Sequence, residues 1–219
     1  MKDVERWHIM KIVMIHGLGQ TASVWENTLS HLTKTCSFEC PGLFEELKPM
    51  DFSYPKLLQN FFDYCNQLEG PLHLCGLSLG GTLALDYASA YPEKVASLVL
   101  IGAQYKIPAK LMKIQNWVFR LLPNTTFKKM GLSKGEVIQL TGSMMTLDLT
   151  HRLKEIKVPT LILCGEKDAA NKKAAQELKS HIPQARLEWV AGAGHEVNLQ
   201  KPKLLAQHLK CFYPEVAKC

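Results

Sequence analysis

Leu72-His73-Leu74-Cys75-Gly76-Leu77-Ser78-Leu79-Gly80-Gly81-Thr82-Leu83-Ala84-Leu85 is the stretch that decides how this chain folds. The apolar run from Leu72 to Cys75 has the length of a buried strand, and a helical pattern opens at about Leu79. One serine stands between them, with Gly76 two residues before it and Gly80 two residues after. G-x-S-x-G carries meaning only in a strand-turn-helix setting, and the flanks supply that setting. A chain that turns from strand into helix at one residue lifts that side chain over the sheet edge. Only very small side chains fit beside so tight a turn, which accounts for Gly76, Gly80 and Gly81. Ser78 then sits at a helix N-terminus, where outward-pointing N–H groups favour developing negative charge. The plainer alternative is a serine that serves only as a helix cap, a position this residue favours.

Upstream of this turn, Lys11 to Ile15 reads as a strand that ends in His16-Gly17-Leu18-Gly19. Ser23 with Glu26 three residues on predicts a capping box opening a helix with Val24, Trp25, Leu29 and Leu32. A short strand is expected around Ser37 to Cys40. Ser53 caps a helix with Pro55 in its first turn and Leu57, Leu58, Phe61, Phe62, Cys65 and Leu68 on its apolar face.

Downstream, a helix runs from Leu79 to Ala90. Val95 to Ile101 is nearly all apolar, as a central parallel strand covered on both faces requires. Thr160 to Cys164 and Leu187 to Val190 are further strands. Ala174 to His181 and about Pro202 to Phe212 are further helices. Alternating strands and helices imply an α/β fold with a mainly parallel central sheet and helices on both faces. Between Gly102 and Val158 no strand is read. Pro108 to Leu122 is helical, Ser133 and Glu136 make a second capping box, and Met144 to Leu153 is expected to form a third short helix. We therefore expect a core at 1–103 and 155–219, with a helical insertion at 104–154 after the strand Val95–Ile101.

At 219 residues with 47% hydrophobic side chains, the chain has enough apolar matter for a core. Its net charge of +6 comes from dispersed lysines, without a basic stripe interleaved with aromatics, so nucleic acid is not an expected partner. The seven cysteines form no C-x-x-C pair, and Cys75 and Cys164 fall in expected buried strands. Reduced thiols in a cytoplasmic protein fit this better than a disulfide framework. The N-terminal segment, with its acids and no long apolar run, is not expected to act as a signal peptide, and stable membrane insertion is not expected because no apolar stretch is long enough to span a bilayer. Asn124-Thr125-Thr126 is read as a polar loop rather than a glycosylation site. No His/Cys cluster at ligand spacing and no phosphate-binding glycine loop is present, so neither a metal nor another cofactor is expected. Oligomeric state is not legible.

A serine hydroxyl is a poor nucleophile at neutral pH. It needs a base within hydrogen-bond reach and a third group to orient that base. Histidine suits the base, its ordinary pKa being about 6.5. Of the eight histidines, His195 stands in the turn after the last strand, in Gly192-Ala193-Gly194-His195-Glu196. His16 is read as positioning its own loop. Asp168, in Gly165-Glu166-Lys167-Asp168, lies just past the preceding strand, with Glu166 as the fallback acid. Active sites of open parallel sheets gather at the carboxyl ends of the strands, where Ser78, Asp168 and His195 all belong.

Four segments, His16-Gly17-Leu18-Gly19, Gly76 to Gly81, Gly165 to Asp168 and Gly194-His195, follow in this order. In them the chain resembles the α/β-hydrolase superfamily over nearly its whole length. The resemblance implies Ser78 as nucleophile, His195 as general base and then acid, and Asp168 as the group that fixes the imidazole tautomer. It also implies backbone N–H donors for an oxyanion from Leu79 and Leu18, and a lid in the insertion. The family has an H-G-G-G form of the first loop; H-G-L-G here resembles the form common in small lidded esterases and related enzymes.

The implied reaction is cleavage of a carboxylic ester or thioester of a small to medium acyl substrate. Trp25, Met112, Trp117, Met144 and Met145 are candidates for its pocket, although apolar residues at helical spacing also serve as plain core. Two alternatives remain open: a cofactor-free C–C hydrolase or lyase with the same triad, and a non-catalytic member that binds a ligand.

Overall fold

The computed structural model describes residues 10–32, 36–128 and 131–213, without the side chains of residues 109–112, 114 and 115. β1 (Lys11–Ile15) is followed by a 3-10 turn, Ala22–Trp25, that runs into α1 (Glu26–Leu29). Then come β2 (Ser37–Glu39), α2 (Tyr54–Gln67), β3 (Leu72–Leu77), α3 (Leu79–Ala90) and β4 (Val95–Ile101). Three helices follow: α4 (Ala109–Leu121), α5 (Asn124–Lys128) and α6 (Lys134–Ser143). A 3-10 turn, Thr150–Glu155, leads to β5 (Thr160–Gly165), α7 (Lys172–His181), β6 (Ala185–Val190), α8 (Val197–Gln200) and α9 (Pro202–Phe212).

The fold is α/β, with one sheet of order β2-β1-β3-β4-β5-β6 in which every pairing is parallel. The strands read as near-continuous apolar runs because both faces are covered. Their residues alternate between two apolar layers. Val13, Ile15, Leu72, Leu74, Leu98 and Leu100 face the layer holding Leu57 and Phe61 of α2, Leu83 of α3 and Leu178 of α7. Ile12, Met14, Cys75, Leu77, Val99 and Ile101 face the layer holding Trp25 and, from α9, Leu205 and Leu209. Each fully buried leucine or isoleucine contributes roughly 1.5–3 kcal/mol relative to exposure.

The chain leaves β1 for β2 on one side and returns to β3 on the other. The connections therefore diverge beyond the carboxyl ends of β1 and β3 and leave a crevice there. Among the described residues no helix is long and apolar enough to cross a membrane.

Two local expectations are corrected. The Ser23–Glu26 capping box does not form. The helical turn begins at Ala22, so Ser23 already lies inside it, and its hydroxyl pairs with that of Thr21 at 2.9 Å. Met144 to Leu153 is not one helix. Leu147 to Leu149 runs beside Tyr105 to Ile107, with the Ile107 N–H donating to Leu147 and the Leu149 N–H to Tyr105. Asp148 then accepts from the Thr150 N–H at 3.0 Å and opens the 3-10 turn there. The Ser133–Glu136 box does form, at 2.7 and 3.2 Å.

The helical stretch is tied back to the core. The Tyr54 N–H donates to Ser143 Oγ at 2.7 Å, and Arg152 donates to the buried Asp86 at 2.8 Å.

α3 starts hard against β1. A Cβ at Gly80 would strike the carbonyls of Ile15 and His16. Backbone carbonyls cannot swing aside as a side chain can, so Gly80→Ala should destabilise by about 3 kcal/mol, the upper end of ordinary overpacking. Urea unfolding of the variant against the native protein measures this; an unchanged midpoint would show that the two elements separate freely.

Candidate active site

Ser78 has φ 53° and ψ −115°, and is the one non-glycine residue with positive φ among those described. Backbone in this region is strained for a residue with a Cβ and persists only where its surroundings hold it. The holding bonds are visible. The Ser78 N–H donates to the Ile101 carbonyl at 2.8 Å, and the Thr82 N–H donates to the Ser78 carbonyl at 3.0 Å. A Cβ at Gly76 would collide with the backbone of Gly80 and Gly81, so the turn closes only with glycine there.

Asp168 follows β5, its N–H donating to the Gly165 carbonyl at 3.0 Å. His195 Nδ1 lies 2.8 Å from Asp168 Oδ2. The Asn171 amide nitrogen lies 2.8 and 2.9 Å from the two carboxylate oxygens. Burial pushes the Asp168 carboxyl up, but bonds from His195 and Asn171 outweigh it and hold the group below its ordinary value. Gly102, at φ +54°, leaves room for the pair, since a Cβ there would sit 3.0 Å from His195 Nδ1. With Nδ1 engaged by the carboxylate, Nε2 is the ring nitrogen left for chemistry. Among the described residues Ser78 Oγ makes no hydrogen bond to the imidazole, although both side chains line one cleft. Such contacts commonly tighten only with substrate bound.

The loop after β1 is fixed by buried polar groups. His16 Nδ1 lies 2.9 Å from the Gly17 carbonyl, and His16 Nε2 accepts from the Leu43 N–H at 3.2 Å. This pattern needs the neutral ring, and burial lowers the His16 pKa accordingly. The Gln20 carbonyl oxygen accepts from the Gly17 and Asn198 amides, both at 3.2 Å, while its nitrogen donates to Glu196 at 3.1 Å. Gln20 thus joins the first loop to the His195 loop. Leu18 and Leu79 both border the cleft, and among the described residues neither N–H donates to a protein acceptor.

The cleft has a volume of about 770 Å³. Leu18, Leu79, Ile107, Pro108 and Met144 give it apolar walls, and Gln104, Tyr105 and Asn171 polar ones. Of the expected pocket residues, Met144 is in place. Trp25 is not: it is 0% exposed in the apolar layer with α9, because its turn packs beneath β1 rather than above the strand ends. Trp117 is 62% exposed on α4 and Met145 is half-buried outside the cleft wall. The Met112 side chain lies outside the described residues. Gln20, Gln104 and Asn171 were missed. Asn171 follows Asp168 by three residues, a spacing that was available as a signal.

The profile of the Alpha/beta hydrolase family matches residues 12–208. The chain is 25% identical to a Bacillus subtilis (strain 168) protein whose name proposes it as 2-succinyl-6-hydroxy-2,4-cyclohexadiene-1-carboxylate synthase, over 94% of this chain and 90% of that one. It is 23% identical to the pimeloyl-[acyl-carrier protein] methyl ester esterase of Nitrosomonas europaea, over 92% and 93% of the two chains. A thermophilic esterase from Thermogutta terrifontis superposes with a TM-score of 0.78 at 19% identity, covering 95% of this chain and 91% of that one.

Neutral His16 gives a pH dependence of stability. Its folded pKa lies below the ordinary value of about 6.5, so the unfolded chain takes up the proton first. The stabilisation is complete above pH ~6.5 and is lost as pH falls from there through the folded-state value. The stability advantage of the native protein over His16→Gln should therefore narrow between pH 7.5 and 5 in urea titrations. A constant gap would mean that the buried ring accepts a proton freely.

Proposed function

Because the chain belongs to the alpha/beta hydrolase family, we propose that it is a serine hydrolase, cleaving a carboxylic ester or thioester of a small to medium acyl substrate through an acyl-Ser78 intermediate. The observation that carries this reading is the strained Ser78 turn opening onto the same cleft as the His195–Asp168 pair.

In the proposed cycle Ser78 Oγ attacks the carbonyl carbon while His195 Nε2 takes its proton. Asp168 holds Nδ1 and stabilises the imidazolium. The tetrahedral oxyanion meets the N–H groups of Leu79 and Leu18; such a donor is worth about 2.7–4 kcal/mol in the transition state. Collapse expels the alcohol or thiol, which leaves with the proton from Nε2. Water then attacks the acyl-serine by the same route in reverse, returning Ser78 and an acid. Leu18, Leu79, Ile107 and Met144 offer the acyl group an apolar wall. The stretch 104–154 serves as the lid, since Tyr105, Ile107 and Met144 close one side of the cleft. The free, buried thiols of Cys65, Cys75 and Cys164 fit work in a reducing, cytoplasmic setting.

The esterase from Nitrosomonas europaea supports ester cleavage. A lyase acting on a small carboxylate through the same three side chains is the second reading, favoured by the relative from Bacillus subtilis.

A fluorophosphonate probe should label the native protein at Ser78, and Ser78→Ala and His195→Ala should abolish the labelling. Turnover of p-nitrophenyl esters should fall by about 10⁴-fold in both variants. No labelling of the native protein would point to ligand binding without catalysis, and faster reaction with β-diketones than with esters would favour carbon–carbon chemistry.

A further inference from the structure

Asn171 stands at the N-cap of α7, where an asparagine side chain ordinarily accepts a hydrogen bond from the first turn. Here it makes no cap bond. The side chain is committed elsewhere: its nitrogen to both oxygens of Asp168, its oxygen to the Gln104 amide nitrogen at 2.7 Å. The carboxylate settles which way the amide points, since the opposite orientation would set two acceptors face to face. The Asn171 nitrogen also lies 3.1 Å from His195 Nδ1. A ring protonated at Nδ1 offers no lone pair there, so the amide hydrogens serve the carboxylate. Gln104 is anchored in turn through its backbone, whose carbonyl accepts from the Thr82 hydroxyl of α3 at 2.8 Å. A polar chain therefore runs from α3 through Gln104 and Asn171 to Asp168 and His195.

We propose that Asn171, oriented by Gln104, is a positioning residue for the imidazole–carboxylate pair. It holds the Asp168 carboxylate against rotation, so that Oδ2 stays on His195 Nδ1 and Nε2 stays aimed toward Ser78. This role rests on the serine-hydrolase reading. The other titratable groups near Asp168 are Tyr105, Lys106, Lys173 and Glu177 in the cleft and Cys164 beneath it. Glu177 accepts from the Tyr105 hydroxyl at 2.9 Å.

The test compares native protein with Asn171→Ala, Asn171→Asp and Gln104→Ala, by p-nitrophenyl acetate kinetics against pH and by the rate of fluorophosphonate labelling. Asn171→Ala should lower kcat about 10- to 100-fold, the usual loss on removing an outer partner of a working side chain, with KM little changed. The acid limb of kcat/KM should move to higher pH, because a buried carboxyl stripped of these donors protonates more readily. Asn171→Asp should be worse than Asn171→Ala, since it sets a second carboxylate against the first. Gln104→Ala, on the cleft wall and less demanding of the fold, should shift the limb in the same direction by a smaller amount. A variant that merely unfolds in part would lose amplitude at every pH without moving the limb, and that outcome overturns the proposal. So does native kcat with an unmoved limb in Asn171→Ala while native protein labels normally, which leaves the hydrolase reading intact. Native protein that the probe does not label overturns both.

Discussion

The whole cleft depends on one backbone-on-backbone contact, the start of α3 lying against the end of β1. No side chain fits between Gly80 and the carbonyls of Ile15 and His16. That closeness brings the loop after β1 and the first turn of α3 to the same rim, so Leu18 and Leu79 border one space. The left-handed conformation of Ser78 follows from it, because a chain leaving β3 has one residue in which to reverse into so close a helix. Strain of this kind costs on the order of 1–3 kcal/mol and is held by the bonds to Ile101 and Thr82. Backbone contacts and hydrogen bonds, rather than a ligand, hold this arrangement, as a proposed acyl-transfer site requires.

Loops from distant strands must then be held to one another. Two neutral amides do this work. Gln20 joins the loop after β1 to the His195 loop, and Asn171 joins the loop after β5 to Gln104 and to the His195–Asp168 pair. Both are nearly buried, where an amide left without partners costs about 1–3 kcal/mol and one fully bonded rigidifies its surroundings. A neutral amide also adds no second charge beside the Asp168 carboxyl, which is held below its ordinary pKa. The Arg152–Asp86–Tyr54 cluster works one turn further along α3, tying the end of the helical stretch to the core.

Legibility followed the reach of the physical signal. The bounds of α3 and β4 could be read to the residue, and those of α9 closely, because each is an apolar run or stripe bounded by a turn or a proline. That Ser78, Asp168 and His195 would share one cleft could be read because each follows a strand by a few residues, in a turn that contains glycine. The Ser23–Glu26 box was misread because the spacing is right but the helical turn starts two residues too early for it, with Thr21 at the N-cap. The stretch after Met144 was misread because its backbone pairs with Tyr105 to Ile107, some forty residues away. Trp25 and Trp117 show the same limit, since apolar character places a residue on a face but not on a particular face of the sheet.

Local pattern alone determined that this chain builds a parallel α/β sheet with a serine turn after its third strand. Near-continuous apolar runs and glycines at a sharp reversal are short-range features, written in a dozen consecutive residues. Tertiary structure decided which amides would brace the site, that Asn171 would give up its cap for Asp168, and that one tryptophan would lie in the far layer and another in solvent. Those outcomes turn on contacts between residues far apart in sequence, whose geometry exists only once the loops above the sheet are packed together.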